Sequence, residues 1–439
     1  MKKSVPWNEK IAPWSYQNLN QSPFLDGRTV LESAKKPTGR FSFDRNREIS
    51  KKIKRAVVEK LFQAHSSLVG GEFLTTDEAF YELPLQWRYL FEELRNLNIS
   101  PVPRTSLTRF FSDECPVPTV LSTCSFEETG SVGRDPGEGA ENKDEYFLWG
   151  YGIDLDPELA IAKSLGEFVE RISLLQHNKP LFAPAIDLQR KNDIISPGQL
   201  SVFSEKEQER HKNRCFSGQS IFGWVRGKNL STGRSTMLPA QRVFWNYNRP
   251  EHEPFLGEFN TNGAAGSFTT EEAILGGLYE LIERDSFLIF WLNKITPSRI
   301  NLKSIHDAQV QQLCDILREY NFNIEILDIS TDTGAPVFLA GIFDNSGIGP
   351  AISFGAASDL SSEKAIQHAL LEAVLMYHVT RMKMVIGVDK PTQAIDFDDV
   401  MQADRGLIYA DSDTAKKLDW MFNGAIVDLK SIKERYPKH

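Results

Sequence analysis

At 439 residues, 41% of them hydrophobic and 25% charged, the chain has the size of two ordinary domains or one large one and the make-up of a soluble globular protein. A formal net charge of -9 argues against a general nucleic-acid binder, whose affinity rests on Lys and Arg neutralising phosphates. No apolar run nears the roughly 18 residues of a membrane span, and Met1 to Trp7 lacks the apolar core of a signal peptide, so no membrane partner and a cytoplasmic protein are expected.

Residues 1–60 are read as an N-terminal arm, rich at first in Pro, Gly, Asn and Ser. Ile49, Ile53, Val57 and Leu61 recur every four residues and predict a helix; Trp87, Leu90, Phe91 and Leu94 predict another. A subdomain is read over 61–145, ending in an acidic, glycine-rich stretch at 127–145 expected to be a mobile loop. From 146 to 439 the pattern is denser and reads as the core.

YFLWGYG, from Tyr146, predicts a strand, followed by a helix whose N-cap is Asp156 and whose first residue is Pro157. Ile221 to Val225 and Met237 to Trp245 predict strands, Ser304 to Asn321 a helix, and the run through Ile324, Ile326 and Ile329 another strand. Pro336 to Phe343 and Ala351 to Phe354, joined by NSGIGP, predict a hairpin. The four cysteines, Cys115, Cys124, Cys215 and Cys314, have no zinc-binding spacing, and Cys314 falls on the apolar face of its helix. Alternating strands and helices give an α/β (α+β) class with helix-covered sheets.

One phrase occurs three times. AIAKSLGE (160–167), AILGGLYE (273–280) and AIQHALLE (365–372) share Ala-Ile seven and six positions before a glutamate, a small residue three before it and Leu two before it. Each follows a glycine-bearing stretch: WGYGIDLDPEL, NGAAGSFTTEE and FGAASDLSSEK. The copies lie too far apart for a solenoid, so three strand–loop–helix units built to one plan are expected.

Helical spacing aligns Ser164, Glu167, Glu170 and Arg171 on the first helix, and Glu272, Gly276, Glu280 and Glu283 on the second with Arg284 beside them. On the third, His368 and Glu372 are one turn apart. The adjacent Gly276 and Gly277 cost helix propensity, so something must approach that backbone closely. Most of each helix is apolar, and buried glutamates are expensive unless paired or bound to cations. Carboxylates converging from three helices suit Mg²⁺ shared with nucleotide phosphates, and arginines supply forked donors to phosphate oxygens. Plainer roles stand beside these: Thr269-x-x-Glu272 also fits a capping box, Glu170–Arg171 and Glu283–Arg284 also fit structural ion pairs, and His368 a satisfied core histidine. A carboxylate-bridged redox metal protein would use Glu-x-x-His pairs, and neither Glu167 nor Glu280 begins one. The chain has no P-loop, HExxH or G-x-S-x-G motif.

At these residues the sequence resembles the YcaO-domain family, most closely the discrete azoline-forming cyclodehydratase subunits that act on ribosomal peptides. The family's SxxExxER helix is matched by Ser164, Glu167, Glu170 and Arg171. Its NGxAAGxTxEEAIxxGLxELIERD segment is matched from Asn262 to Asp285, with Gly266 and Ser267 departing from its Ala-Gly. The third helix resembles the final ATP-site helix, with Glu372 in the metal-binding position. GWVRGKNLSTGRSTMLPAQRV and LDISTDTGAPVFLA are similar to other family segments, and the likeness covers about residues 100–385.

The resemblance implies a YcaO fold with a carboxylate-lined ATP site. Glu167, Glu170, Glu280, Glu283 and Glu372 would hold Mg²⁺; Ser164, Glu272, Arg171, Arg284 and His368 would join them at the nucleotide. It implies ATP-dependent activation of a backbone amide, with Cys, Ser or Thr of a precursor peptide becoming thiazoline or oxazoline through phosphorylation of the amide oxygen. Thioamide or amidine formation uses the same ATP chemistry, and a non-catalytic scaffold subunit is the rival outside enzymes. The expected partners are the precursor peptide and a leader-binding E1-like (ThiF-like) protein; an FMN-dependent azoline dehydrogenase and a homodimer are also compatible with it. Two departures favour the alternatives: the chain ends SIKERYPKH where azoline-forming members often carry PxPxP, and Leu375 stands where many have glutamine. No residue is assigned as the general base.

Overall fold

The computed structural model describes most of residues 105–436, leaving out 113–114, 127–145, 176–178, 190–192, parts of 201–214, 345–348, 386–404 and single residues at 246, 258, 268 and 411. The expected arm, the two helices predicted before residue 100 and the acidic loop lie outside the described residues.

Three sheets carry the architecture. β1 (Thr105–Ser112), β2 (Cys115–Phe126) and β3 (Tyr146–Ile153) form an antiparallel meander. A small sheet of order β4-β6-β7-β5 is built from β4 (Leu181–Pro184), β5 (Asp193–Ile194), β6 (Ile221–Lys228) and β7 (Ser235–Pro239). The largest has order β11-β10-β9-β8-β12, from β8 (Ser298–Ile300), β9 (Phe322–Asp328), β10 (Val337–Asp344), β11 (Ile352–Ser358) and β12 (Ile426–Val427). Four long helices are α1 (Pro157–Ser173), α2 (Thr270–Leu292), α3 (Ala308–Glu319) and α4 (Ser362–Val385).

β10 is buried along its whole length, which requires a helix layer on each face. Side chains alternate across a strand. Phe338, Ala340 and Ile342 therefore meet α4 residues such as Ile366, Leu370 and Val374, with Leu313 and Leu317 of α3 beside them. Val337, Leu339 and Phe343 meet Phe290 of α2, together with Leu418, Met421 and Phe422 from the C-terminal region. Cys115, Val117 and Ile153 join the first of these clusters, so α4 is covered by the meander as well.

The expected hairpin is β10–β11, paired antiparallel from Val337↔Ser358 to Phe343↔Ile352. The helix expected at 304–321 begins later, at Ala308, because the Asp307 side chain caps it by accepting from the Gln309 and Val310 N–H groups. One expectation is corrected. The strand predicted from Met237 to Trp245 stops at Pro239; residues 240–242 turn into a 3₁₀ helix, where the Gln241 side chain is buried and hydrogen-bonded. Short β4, β5, β8 and β12 were not predicted, their two to four residues being too few to set a period. Among the described residues no helix is long and apolar enough to cross a membrane.

Candidate nucleotide and magnesium site

The first and third copies of the phrase fold as the expected strand–loop–helix units, β3–α1 and β11–α4; the second is corrected, since a loop and not a strand precedes α2, but the register is kept. Gly150, Gly263 and Gly355 each stand 17 positions before the unit's glutamate, Glu167, Glu280 or Glu372. In the first and third units this glycine lies on a strand where the helix backbone presses flat. A Cβ on Gly150 would sit 2.2 Å from the Ser164 carbonyl oxygen, and one on Gly355 would sit 2.3 Å from that of Ala369. In the second unit the contact is made from the helix side: a Cβ on Gly277 would lie 2.4 Å from the Gly263 carbonyl oxygen. The close approach expected at Gly276 and Gly277 is thus the preceding loop, and the small residue three before each glutamate is what lets helix and strand touch.

That contact sets each glutamate over a backbone N–H. Glu167 accepts from Tyr151 N–H at 2.5 Å, Glu280 from Gly263 N–H at 2.9 Å and Glu372 from Ala356 N–H at 3.0 Å. Glu170 joins them by accepting from Gly266 N–H at 3.0 Å, which ties α1 to the loop before α2. Three chain segments remote in sequence therefore bring Glu167, Glu170, Glu280, Glu283 and Glu372 into one electrostatic neighbourhood.

Burial raises every one of these carboxyls above the ordinary range. Glu170 is pushed up to about 7, by burial first and then by the charges of Glu167 and Glu280. Glu283 reaches about 9, by burial and then by Glu372. Two arginines oppose this. Arg171 pairs with Glu167, and its guanidinium lies 5.5 Å from the Trp245 ring centroid. Arg284 stands 3.4 Å from Glu283 and 3.7 Å from Glu280. Five carboxyls against two guanidiniums are more acidic groups than a partly dehydrated place keeps ionised without a cation, which is why their pKa values rise.

Among the described residues no three acidic, imidazole or thiol groups already form a cage around one point. The donor chemistry nonetheless fits Mg²⁺, a hard cation that takes oxygen ligands, keeps several waters and needs only one or two carboxylates besides phosphate. Four of the carboxylates use one oxygen on a backbone N–H, which fixes the side chain and leaves the second oxygen for a cation or an arginine.

The remaining sequence candidates make other contacts. Ser164 is wholly buried and donates to the Gly150 carbonyl at 2.8 Å, so its hydroxyl seals the helix–strand contact. Glu272 is exposed in the first turn of α2, where its N–H is capped by Thr269 Oγ1 and its carboxylate accepts from Ser267 at 2.7 Å. His368 has Lys163, Asp359 and Asp154 as its charged neighbours; burial first, then Lys163, lowers its pKa. Sequence reasoning missed Trp245, which lay at the end of a supposed strand, and Glu253, one acidic residue in a polar stretch. Only the tryptophan's rarity could have drawn attention.

The family model described as YcaO cyclodehydratase, ATP- and Mg²⁺-binding, matches residues 150–435. An uncharacterised protein of Methanothermobacter thermautotrophicus is 30% identical over 205 residues, 46% of this chain and 48% of that protein. One from the tfuA 3′ region of Rhizobium leguminosarum bv. trifolii is 34% identical over 126 residues, 28% of this chain and 30% of its own. The matches thus span about half or less of these curated relatives. Among solved structures, a heterocyclase in complex with substrate and cofactor superposes with a TM-score of 0.53 at 22% identity, covering 76% of this chain and 43% of that one. The E. coli microcin synthetase McbBCD complex with pro-MccB17 bound gives 0.51 at 16% identity, covering 75% and 76%. At such identities the structural likeness shows a shared fold. The family match covers most of the chain and falls on all three glutamate helices: this protein belongs to the YcaO family, whose members bind ATP and Mg²⁺.

Proposed function

We propose that this protein is an ATP-dependent YcaO enzyme that activates a peptide backbone amide, acting as a cyclodehydratase subunit on Cys, Ser or Thr of a ribosomal precursor peptide. The carrying observation is the set of five glutamates with raised pKa values, four of them held on backbone N–H groups and Glu283 beside Arg284. A scaffold gains nothing from an uncompensated cluster of buried carboxyls.

In this reading Glu167, Glu170, Glu280, Glu283 and Glu372 hold Mg²⁺, and Arg171 and Arg284 take phosphate oxygens by their forked donors. Mg²⁺ held there would supply positive charge to offset what develops during phosphoryl transfer. The backbone N–H groups of Tyr151, Gly263, Gly266 and Ala356 keep the carboxylates oriented, and the arginines hold the phosphates in line. The Cys, Ser or Thr side chain would add to the preceding amide carbon, and the oxyanion so formed would take the terminal phosphoryl group of ATP with ADP leaving. That oxygen would then depart as phosphate as the C=N bond forms, the side-chain and amide protons passing to solvent. Ser164, Glu272 and His368 act in support of the site, through the helix–strand seal, the start of α2 and the α4 face.

The partners proposed are the precursor peptide and an E1-like leader-binding protein, in line with the substrate and the multi-protein assembly named for the two structural neighbours. The same ATP chemistry with another nucleophile would give a thioamide or amidine. Leu375, half-buried against the core at a position where the family resemblance implies glutamine, favours that second reading.

The first test is calorimetry of ATP binding with and without Mg²⁺, on the wild type and on Glu167→Gln. Mg²⁺-dependent binding that the variant loses supports the site; a wild type indifferent to ATP, alone and with its partner protein, overturns it. Mass spectrometry of the peptide product then separates loss of one water per ring from exchange of oxygen for sulfur or nitrogen.

A further inference from the structure

The chain from Trp245 to Gly266 touches α1 at both ends. At the far end Gly266 donates to Glu170. At the near end Trp245 N–H donates to the Leu174 carbonyl, just past the end of α1, at 2.9 Å, and its indole lies against Arg171. Phe259 backs the indole at 6.0 Å between ring centroids.

What fixes this segment is a buried carboxylate outside the nucleotide cluster. Glu253 is 1% exposed, and it accepts from Tyr247 at 2.5 Å, Gln241 Nε2 at 2.7 Å and Gly223 N–H at 3.2 Å. Gln241 in turn accepts from Leu256 N–H at 3.1 Å and donates to the Pro254 carbonyl at 2.8 Å, so the loop closes on itself. Phe244, beside Trp245, is buried at the same junction. A carboxylate so deeply buried is costly unless its partners are fixed, so the network is rigid where it is complete.

A guanidinium has two distinct surfaces. Its face stacks on aromatic rings, and its edge carries every N–H donor. An arginine held by the face keeps its whole edge for hydrogen bonding; one held by a further carboxylate would spend donors on being positioned.

We infer that Trp245 is a positioning residue of the nucleotide site: its indole holds Arg171 by the face, so that the guanidinium edge bridges Glu167 and a nucleotide phosphate oxygen, and the Glu253–Gln241–Tyr247 network holds Trp245 in place. The inference rests on the nucleotide reading above and deepens it. It places the control of a phosphate-binding arginine in the segment that follows the small sheet, outside the glutamate helices themselves.

The test is Mg²⁺-dependent ATP binding by calorimetry on the full chain, for Trp245→Leu and Trp245→Phe, each in the wild-type and the Arg171→Gln background. In the wild-type background Trp245→Leu is expected to weaken binding by about tenfold, with Trp245→Phe, which keeps a ring, recovering much of the loss. In the Arg171→Gln background neither substitution should weaken binding further. Equal losses in both backgrounds, or no loss in the first, would overturn the positioning role. A wild type that binds no Mg²⁺·ATP gives a different result, overturning the nucleotide reading and the inference with it. If Trp245→Leu does not fold, Glu253→Gln carries the same comparison: a few-fold loss that needs Arg171 supports the role, and a loss independent of Arg171 sinks it.

Discussion

Glu372 on α4 lies close enough to Glu283 on α2 that its charge, after burial, is the largest influence raising the Glu283 carboxyl to about 9. Two elements far apart in sequence thus place acidic groups where both cannot cheaply be ionised. A carboxyl whose pKa is higher folded than unfolded adds stability that is fully present below its unfolded value and is lost as pH rises through the folded one. For Glu283 that window runs from about 4.5 to about 9. Without divalent cations the protein should lose stability across it, and Glu283→Gln should flatten that decline, gaining on the order of 2 kcal/mol near the alkaline end. Urea unfolding at pH 5.5, 7 and 8.5 measures this. A variant that follows the wild-type slope would show the carboxyl to be unstrained.

The same crowding of acidic groups makes Mg²⁺·ATP a stabilising ligand. Binding to the folded state alone contributes about 2.7 kcal/mol at a hundred times Kd, which is a few degrees of Tm for a chain of this size. Mg²⁺ with ATP should raise the wild-type Tm by that amount, EDTA should remove the gain, and Glu170→Gln should reduce it to near zero. Glu170 anchors the loop before α2 through Gly266, so this variant tests the join between units as well as a single ligand.

Much of the candidate site was legible because one phrase occurs three times. Chance can place a glutamate on a helix; it does not readily repeat Ala-Ile, a small residue and Leu at fixed offsets before it. The register that gives the phrase its meaning was hidden. Glycines were visible before each copy, but only contact distances show Gly150 and Gly355 under the helix backbone. Trp245 and Glu253 were illegible for another reason. Their roles depend on a loop whose apolar run, Met237 to Trp245, imitates a strand, and on Gln241 and Tyr247, which meet Glu253 only after folding. The repeated phrase and its helical spacing led to the glutamates and arginines, while the loop after Val243 carries no such signature.

The cysteines offer a check on the core independent of any ligand. Burial pushes the Cys314 thiol up to about 11, and Cys115 is buried beside it in the same cluster, whereas Cys215 is exposed. Thiolate is the reactive form. A thiol reagent at pH 7.5 should label Cys215 within minutes and leave Cys314 unmodified until the protein unfolds. Peptide mapping after brief labelling reads this directly, and early labelling of Cys314 would contradict the packing of α3 on β9.

The strictest demand of the repeated unit is the one made of its glycines. Gly150 and Gly355 have no space for a side chain: a methyl group would meet backbone atoms at 2.2 Å and 2.3 Å, and backbone cannot swing aside as a flexible side chain can. Gly150→Ala and Gly355→Ala should each cost about 1–3 kcal/mol or more by forcing helix from strand. They should also lower Mg²⁺·ATP affinity, since the same contact brings Glu167 to Tyr151 and Glu372 to Ala356. Gly198→Ala is the control, because nothing lies within 4 Å of the added atom. Denaturant midpoints and calorimetry on the three variants separate the outcomes. Loss of both stability and affinity at the two strand glycines, with neither lost at Gly198, is expected if helix–strand contact is what holds the carboxylates in place. Loss of stability with affinity intact would mean that the cluster assembles around its ligand whatever the spacing of helix and strand.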